Sequence, residues 1–324
     1  MCTAVTYRSG DFYFGRNLDY DYAFGECVAI TPRKFPLPFR HTETVNDHYS
    51  IIGMAHIEDN YPLYYDAINE KGLAIAGLNF VGNAVYNEEK PNMVNIAIFE
   101  FIPWILAQCA SVKEAIEILQ KTNLTNTAFS SRLPTAQLHW LVADKEDAIT
   151  IESTKVGLQI DNNPIGILTN NPPFEQQMLN LSNYMHLSPY EGENTFAPDL
   201  SLTRYSRGMG AIGLPGDLSS QSRFVRAAFT KLNSISDKTE ASSVNQLFHI
   251  LGSVRQTRGC CRLDLQKNEI TLYTSCCNAD KGIYYYTTYD NLQISAINMH
   301  HTDLNGSKLV LYPLITESAI HWHN

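Results

Sequence analysis

Over the first eighty residues, apolar side chains alternate with polar ones instead of recurring every third or fourth position. A period of two marks strands buried on one face. It predicts strands over Cys2–Arg8, Asp11–Arg16, Cys27–Thr31, Ser50–His56, Leu63–Ile68 and Leu73–Asn79. Ser9-Gly10 reads as a hairpin turn between the first two, and the segment 69–72 joins the last two. The period then changes. Val112, Ala115, Ile116 and Leu119 recur at helical spacing behind Ser111 and Glu114, a capping-box pair. A preceding helix is predicted over Phe99–Cys109, with Pro103 tolerable only near its first turn. Strands resume at Gln137–Ala143, Ala148–Ser153, Gly157–Ile160 and Ile165–Leu168. From Asn170 to Pro215 the chain is rich in Asn, Pro, Ser and Gly, which predicts long surface loops. Helices follow at Ser222–Leu232 and Val244–Val254, then four or five strands between Arg262 and Leu311. There is no repeat, low-complexity tract or linker. This order of elements suits an α+β protein layered as a single domain, 1–324.

Composition narrows the function. Of 324 residues 44% are apolar and 18% charged, enough for a large core and too few charges for a disordered chain. Lys and Arg number 24 against 33 Asp and Glu, a formal charge of −9 with no basic run. Nucleic acid is not the expected partner, because displacing counterions from phosphates needs a basic surface. The apolar stretch 96–110 is broken by Glu100, Pro103 and Gln108, short of the roughly 20 residues of a bilayer span. No basic segment followed by an apolar one opens the chain, so nothing directs export. The seven cysteines, an odd number, point to free thiols in a reducing cytoplasm. On that reading the sequons at Asn123, Asn180 and Asn305 carry no weight.

Cys2 follows the initiator Met and is small enough to permit its removal. Excision would leave a thiol beside its own α-amine, with reference pKa values of about 8.5 and about 7.7–8.0. Such an amine can take the thiol proton and return it to a leaving group without a histidine. From position alone, a buried cysteine in a first strand remains the competing reading. An ideal two-residue turn at Ser9-Gly10 would place Cys2 opposite Asn17, among Arg16, Asn17 and Asp19. A guanidinium favours the thiolate, and a carboxylate could hold the α-ammonium. Yet Arg16 and Asp19 are an odd number apart and should face opposite ways. Both would serve Cys2 only if the strand bulges or ends near Asn17–Leu18.

The segments MCTAVTYRSGDFYFGRNLDY, YDAINEKGLAIAGLNF, LHWLVAD, GILTNNP, IGLPGDLSSQSRFVRAAF and GIYYYTTYDN resemble the choloylglycine hydrolase family in order and spacing across nearly the whole chain. Within that family the likeness is to the bile salt hydrolases of Gram-positive gut bacteria. The resemblance implies an N-terminal-nucleophile hydrolase, a four-layer αββα sandwich of two packed antiparallel sheets, cleaving an amide between an acyl group and an amine. It implies Cys2 as nucleophile, with its α-amine as proton shuttle. Arg16 would support the thiolate, Asp19 the amine, and Asn79 an oxyanion hole. Asn170 would be the polar partner of nucleophile and substrate, and Arg223 a second arginine near Cys2. The substrates implied are conjugated bile acids of the glycocholate and taurocholate class.

A steroid calls for an apolar pocket with few polar anchors. Leu18, Phe24, Tyr65, Phe129 and Leu133 match the family's steroid-facing positions. Ser206-Arg207-Gly208 falls where some relatives read Gly-x-Gly; the Ser-Arg-x version is the one associated with taurine conjugates, and Arg207 could pair with a sulfonate or a carboxylate. The resemblance also implies a homotetramer; the sequence itself, with no span, no export signal and no metal-ligand spacing, leads us to expect no cofactor, no metal and no membrane partner, in the bacterial cytoplasm. The Cys260-Cys261 and Cys276-Cys277 pairs read as free thiols on neighbouring strands, because adjacent cysteines rarely share a zinc ion. His300-His301 and His321/His323 read as a solvated tail. Gly208, Gly210 and Gly213 match a dinucleotide fingerprint only by chance, with no strand before them. Two alternatives stay open: a penicillin V acylase with the same nucleophile and a different acyl pocket, and a non-catalytic bile-acid binder. The second predicts loss of site residues, and all six are present.

Overall fold

The computed structural model describes residues 1–318 and 320–324. The chain opens with the hairpin β1 (Cys2–Ser9) and β2 (Asp11–Tyr20), followed by β3 (Cys27–Thr31), β4 (Ile51–Glu58), β5 (Tyr61–Asn69) and β6 (Ala74–Asn79). After β7 (Val94–Ala97) come α1 (Phe101–Gln108), α2 (Val112–Leu119) and β8 (Thr122–Thr125). Four strands, β9 (Leu138–Ala143), β10 (Ala148–Thr154), β11 (Gly157–Asn162) and β12 (Ile167–Leu168), lead to α3 (Phe174–Leu181), α4 (Ser220–Asn233) and α5 (Glu240–Gly252). The last strands are β13 (Ile270–Asn278), β14 (Ile283–Thr288), β15 (Ser295–Asn298) and β16 (Val310–Pro313). Among the described residues no helix is long and apolar enough to cross a membrane.

The strands form a six-stranded antiparallel sheet in the order β12-β1-β2-β13-β14-β15 and an eight-stranded one in the order β11-β10-β9-β6-β5-β4-β3-β16. One core lies between the sheets and continues under α4 and α5. In it Phe14, Leu18, Tyr273 and Tyr284 meet Met54, Ile68, Leu78 and Leu141, with Phe224 and Leu247 from the helices. A second core packs the outer face of the larger sheet, through Ile75, Trp140 and Val142, on Phe101, Ile105 and Val112 of α1 and α2. The result is the expected α+β sandwich, helices outside and two sheets within. Each fully buried Leu or Phe contributes roughly 1.5–3 kcal/mol, so the two cores hold the strands between them firmly in place.

Three details differ from the sequence-based expectation. The first hairpin turns more tightly than a two-residue loop. Gly10 takes the left-handed φ of +74°, Ser9 faces Asp11, and Cys2 therefore stands opposite Leu18, not Asn17. The strand predicted to stop at Arg16 runs on to Tyr20. Of the two cysteine pairs, Cys276-Cys277 lies buried in β13, whereas Cys260-Cys261 falls in a turn rather than on a neighbouring strand; all seven thiols are free.

Two bulges break the otherwise regular pairing. On β5, Met54 faces Asp66 while Ala55 faces Tyr64, leaving Tyr65 without a partner. On β13, Thr271 faces Asp19 while Tyr273 faces Leu18, leaving Leu272 unmatched. A bulge shifts the faces of the residues around it, and both bulges flank the site described next.

Candidate active site

Cys2 sits at the start of β1, between β12 and β2, with its side chain turned towards the larger sheet and only 3% of its surface exposed. Arg16 and Leu18 share that inner face, and all three border one cavity of about 250 Å³. Thr3, Asn17 and Asp19 alternate to the opposite face, against α4 and α5. Asn17 Nδ2 donates to Leu251 O at 2.9 Å, and its Oδ1 accepts from Thr274 Oγ1 at 2.8 Å. The parity conflict between Arg16 and Asp19 resolves without a bulge in their own strand. Arg16 addresses the thiol side of Cys2, and Asp19 lies on its main-chain side. The irregularity is across the ladder at Leu272, where it turns Thr271 towards Asp19 and Tyr273 the other way.

Arg16 is wholly buried. Its Nη1 donates to Tyr65 O at 3.0 Å and Gly77 O at 2.8 Å, both on the larger sheet. Its Nη2 is buried with no partner among the described residues. Burial alone would lower its pKa, but the anionic forms of Cys2, Tyr273, Asp66 and Asp19 outweigh that and raise it.

On the helix side, Arg223 projects from the first turn of α4, whose N-cap Ser219 accepts from Ser222 N. Arg223 Nη1 donates to Cys2 O and, at 2.7 Å, to Thr3 Oγ1, while Nη2 reaches Asn170 Oδ1 at 2.7 Å and Nε reaches Leu218 O at 3.0 Å. Asp19 Oδ1 accepts from Thr271 Oγ1 at 2.6 Å, and Oδ2 lies 4.0 Å from Arg223 Nη1. Burial pushes the Asp19 carboxyl up, opposed first by Arg223 and then by the chain amine. The same burial lowers Arg223 against the pull of Asp19, yet a guanidinium starts high enough to keep its charge.

Asn170 joins these groups. Its Oδ1 accepts from Cys2 N at 2.8 Å, its Nδ2 donates to Asn79 O at 2.8 Å, and its own N–H is held by Ser220 Oγ at 2.8 Å. Asn79, half-buried at the end of β6, borders the cavity beside Cys2. With Met1 in place, its amine donates to Asp19 O at 2.8 Å and pairs with Glu269; burial lowers its pKa. Cys2 N is then a peptide N–H. Loss of Met1 would make that same nitrogen an amine, still within reach of Asn170 Oδ1.

The cavity lining is mostly apolar. Leu18, Phe24, Tyr65, Phe129 and Leu133 all border it, together with Tyr20, Ile98, Phe99 and Ile102, which the sequence reading did not single out. On one side the lining residues Tyr20 and Phe24 pack with Tyr22 outside the cavity, ring centroids 4.5–5.4 Å apart. On another Phe99 and Phe129 line it, packed on Tyr61 and on the Arg40 guanidinium 5.5 Å from Phe99 and 5.6 Å from Phe129. Arg207 is exposed in the loop before Gly208 and is not among the lining residues. Such an arrangement can bind a large apolar acyl group and deliver its carbonyl to a buried thiol flanked by two fixed cations. The sequence reading also missed Asp66, Thr271, Tyr273 and Glu269, because each reaches the site from a distant strand.

Residues 2–312 match the family model described as linear amide C–N hydrolases, choloylglycine hydrolase family. A bile salt hydrolase/transferase of Lactiplantibacillus plantarum is 56% identical over 98% of both chains. Among solved structures, the C2A mutant of the conjugated bile acid hydrolase of Clostridium perfringens superposes with a TM-score of 0.92 at 36% identity, covering 100% of both chains. The penicillin V acylase of Agrobacterium tumefaciens gives 0.77 at 18% identity, covering 97% of this chain and 92% of that one, a likeness of fold alone.

Proposed function

The chain belongs to the choloylglycine hydrolase family of linear amide C–N hydrolases, and from that premise we propose that it hydrolyses the amide bond of glycine- and taurine-conjugated bile acids. The observation that carries this reading is the apolar cavity that ends at the buried Cys2 thiol. It suits a steroid acyl group with its amide carbonyl at the nucleophile.

In this reading 1–324 is a single domain, and after removal of Met1 the remaining residues 2–324 act as one unit. The Cys2 α-amine, held by Asn170 Oδ1, takes the thiol proton. The thiolate, steadied by Arg16, attacks the carbonyl, and the oxyanion is held by Asn79. The C–N bond then breaks as the α-ammonium returns its proton to the departing nitrogen, leaving a thioester on Cys2. Water attacks that thioester, again with the amine as base, and releases the bile acid. Asp19 keeps the α-ammonium oriented, and Arg223 holds Cys2 O and Asn170 so that nucleophile and amine move as one body. Leu18, Phe24, Tyr65, Phe129 and Leu133 bind the steroid. A lean towards taurine rests on Arg207 alone, which stands outside the cavity lining.

We further propose a homotetramer in the bacterial cytoplasm. Between α3 and α4 the segment 185–205 exposes Met185, Tyr190, Phe196 and Tyr205, each more than 79% accessible, and large apolar side chains displayed together favour association. The seven free thiols suit a reducing compartment.

The deciding experiment pairs intact mass with release of taurine and glycine from taurocholate and glycocholate. Loss of the Met1 mass and amine release abolished by Cys2→Ala are expected. Activity surviving in Cys2→Ala would end the mechanism. A processed protein inactive on both bile salts but active on phenoxymethylpenicillin would replace the substrate.

A further inference from the structure

Asp66 is a fully buried carboxylate that the mechanism above does not use. It lies on β5 next to the bulged Tyr65, so the two consecutive residues both reach the space between the sheets. Tyr65 turns its carbonyl to Arg16 Nη1 at 3.0 Å. Asp66 accepts three hydroxyls from the other sheet: Tyr273 OH at 2.5 Å, Ser275 Oγ at 2.9 Å and Tyr284 OH at 2.7 Å. Ser275 Oγ in turn accepts from the main-chain N–H of Arg16 at 3.2 Å, so hydrogen bonds run unbroken from Asp66 to the arginine backbone. The second bulge, at Leu272, aims Tyr273 at this point while Thr271 goes to Asp19.

Stability alone is a poor reason to keep such a group. Replacing a buried charged network by well-packed apolar side chains is often neutral or stabilising. The network also stands where position matters. Arg16 has three carbonyl anchors, Tyr65 O and Gly77 O at Nη1 and Asn17 O at 3.4 Å from Nε, which leaves Nη2 as its one buried edge with no partner among the described residues. Its guanidinium borders the same cavity as Cys2. A counter-charge locked by three hydroxyls would set the angle of that free edge.

We propose that Asp66, with Tyr273, Ser275 and Tyr284, is the positioning unit of Arg16, holding its free guanidinium edge towards the Cys2 thiol. This rests on the reading of Cys2 as the nucleophile and adds to it a set of residues that never touch substrate. The titratable groups facing Asp66 are Arg16, Tyr273, Tyr284 and Cys277, with Tyr65 beyond Tyr273.

The test is the pH profile of iodoacetamide alkylation at Cys2, followed by peptide mass so that the other thiols do not contribute, in wild type, Asp66→Asn, Tyr273→Phe and Tyr284→Phe. Loss of positioning should move the profile of Asp66→Asn about one pH unit alkaline and lower kcat roughly 10–100-fold, with KM within about twofold. The two Phe variants change no charge and should move it in the same direction by less. Simple removal of a negative charge beside Arg16 would move it acid instead. An acid shift or an unchanged profile in folded Asp66→Asn or in both Phe variants overturns the proposal. If Asp66→Asn does not fold, the Phe variants decide. An enzyme that releases no amine from bile salts, yet shows the alkaline shift, would discard the proposed substrate and leave the positioning unit standing.

Discussion

Arg223 shows how much of this site depends on the shape of one side chain. Its three nitrogens are divided among Leu218 O, Thr3 Oγ1, Cys2 O and Asn170 Oδ1, and it is the cation within 4.0 Å of the buried Asp19 carboxylate. A lysine supplies the charge at a single point and cannot span those acceptors. Arg223→Lys should therefore cost about 1–3 kcal/mol of stability by urea unfolding, as buried acceptors lose their donors. Amine release from taurocholate should fall about 100-fold or more, because Asn170 and Cys2 lose their shared anchor. Activity within twofold of wild type would show that charge alone is needed there. The residue types at this site were legible in the sequence: Cys2, Arg16, Asp19, Asn79, Asn170 and Arg223 were all named from their motifs. Their division between two faces of β2 was legible too, in the odd spacing of Arg16 and Asp19. Parity in the sequence marked the conflict between Arg16 and Asp19 but not its resolution, which depends on a bulge in β13 some 250 residues away. Asp66 and Tyr273 were invisible for the same reason. A polar residue in an apolar strand looks alike whether its partner is water or a side chain on a distant strand.

At the scale of elements, β2 is the strand on which the site depends, and it is buried on both faces. That double burial needs Gly15. A Cβ there would stand 2.2 Å from Ser275 O and 2.7 Å from Leu247 Cδ2, so the side chain must be absent for α5 to lie on the sheet beside β13. Gly15→Ala is expected to lower stability by about 1–3 kcal/mol or more, read as an earlier urea midpoint, with activity lost through the displaced Arg16 next door. An unchanged midpoint would mean that α5 can ride higher without cost. Most elements could be read from alternation alone, and Ser111 caps α2 as its motif implied, accepting from Glu114 N. Glu114 departs from the box by accepting from Ala110 N, one residue earlier than the cap itself. Three kinds of element escaped. The end of β2 was predicted at Arg16, before the polar Asn17 and Asp19, yet Thr274, Leu251 and Thr271 satisfy them in the interior. The short parallel pair β7 and β8 is half polar and only four residues a strand, and Asn123 ties it by donating to Glu88 O and Asn95 Oδ1. Helix α3 lies in a stretch whose composition reads as loop; Gln177, buried on it, donates towards Thr169, Asn170 and Ser220 and so braces the segment that carries Asn170. In each case long-range hydrogen bonding overrides the local pattern.

For the molecule as a whole, two buried ionisable groups outside the Cys2 cluster set opposite pH dependences of stability. Glu100 lies behind the Phe99 wall of the acyl cavity, accepting from Arg40 N at 2.6 Å and Ala97 N at 3.1 Å, and burial raises its pKa from 4.5 to about 7. Between those values the folded protein binds more protons than the unfolded chain, so unfolding free energy falls as pH rises, by roughly 3 kcal/mol over the window. Lys231, on α4 under β1, donates to Thr6 Oγ1 at 2.9 Å and to Ile165 O in a second, polar cavity, and burial lowers its pKa from 10.5 to about 7. There the folded protein binds fewer protons, so unfolding free energy climbs from pH 7 towards pH 10, by several kcal/mol in all. Urea unfolding at pH 5, 7 and 9 separates the two contributions. Glu100→Gln should flatten the fall between pH 5 and 7 and leave the alkaline rise intact; Lys231→Met should flatten the rise and leave the acid side intact. Each variant also carries a pH-independent cost, the lost acceptor or the lost hydrogen bonds, so the slopes and not the absolute values are diagnostic. Curves parallel to wild type in both variants would locate the pH dependence in Asp19, Asp66 and the chain amine instead, and would tie global stability directly to the groups around Cys2.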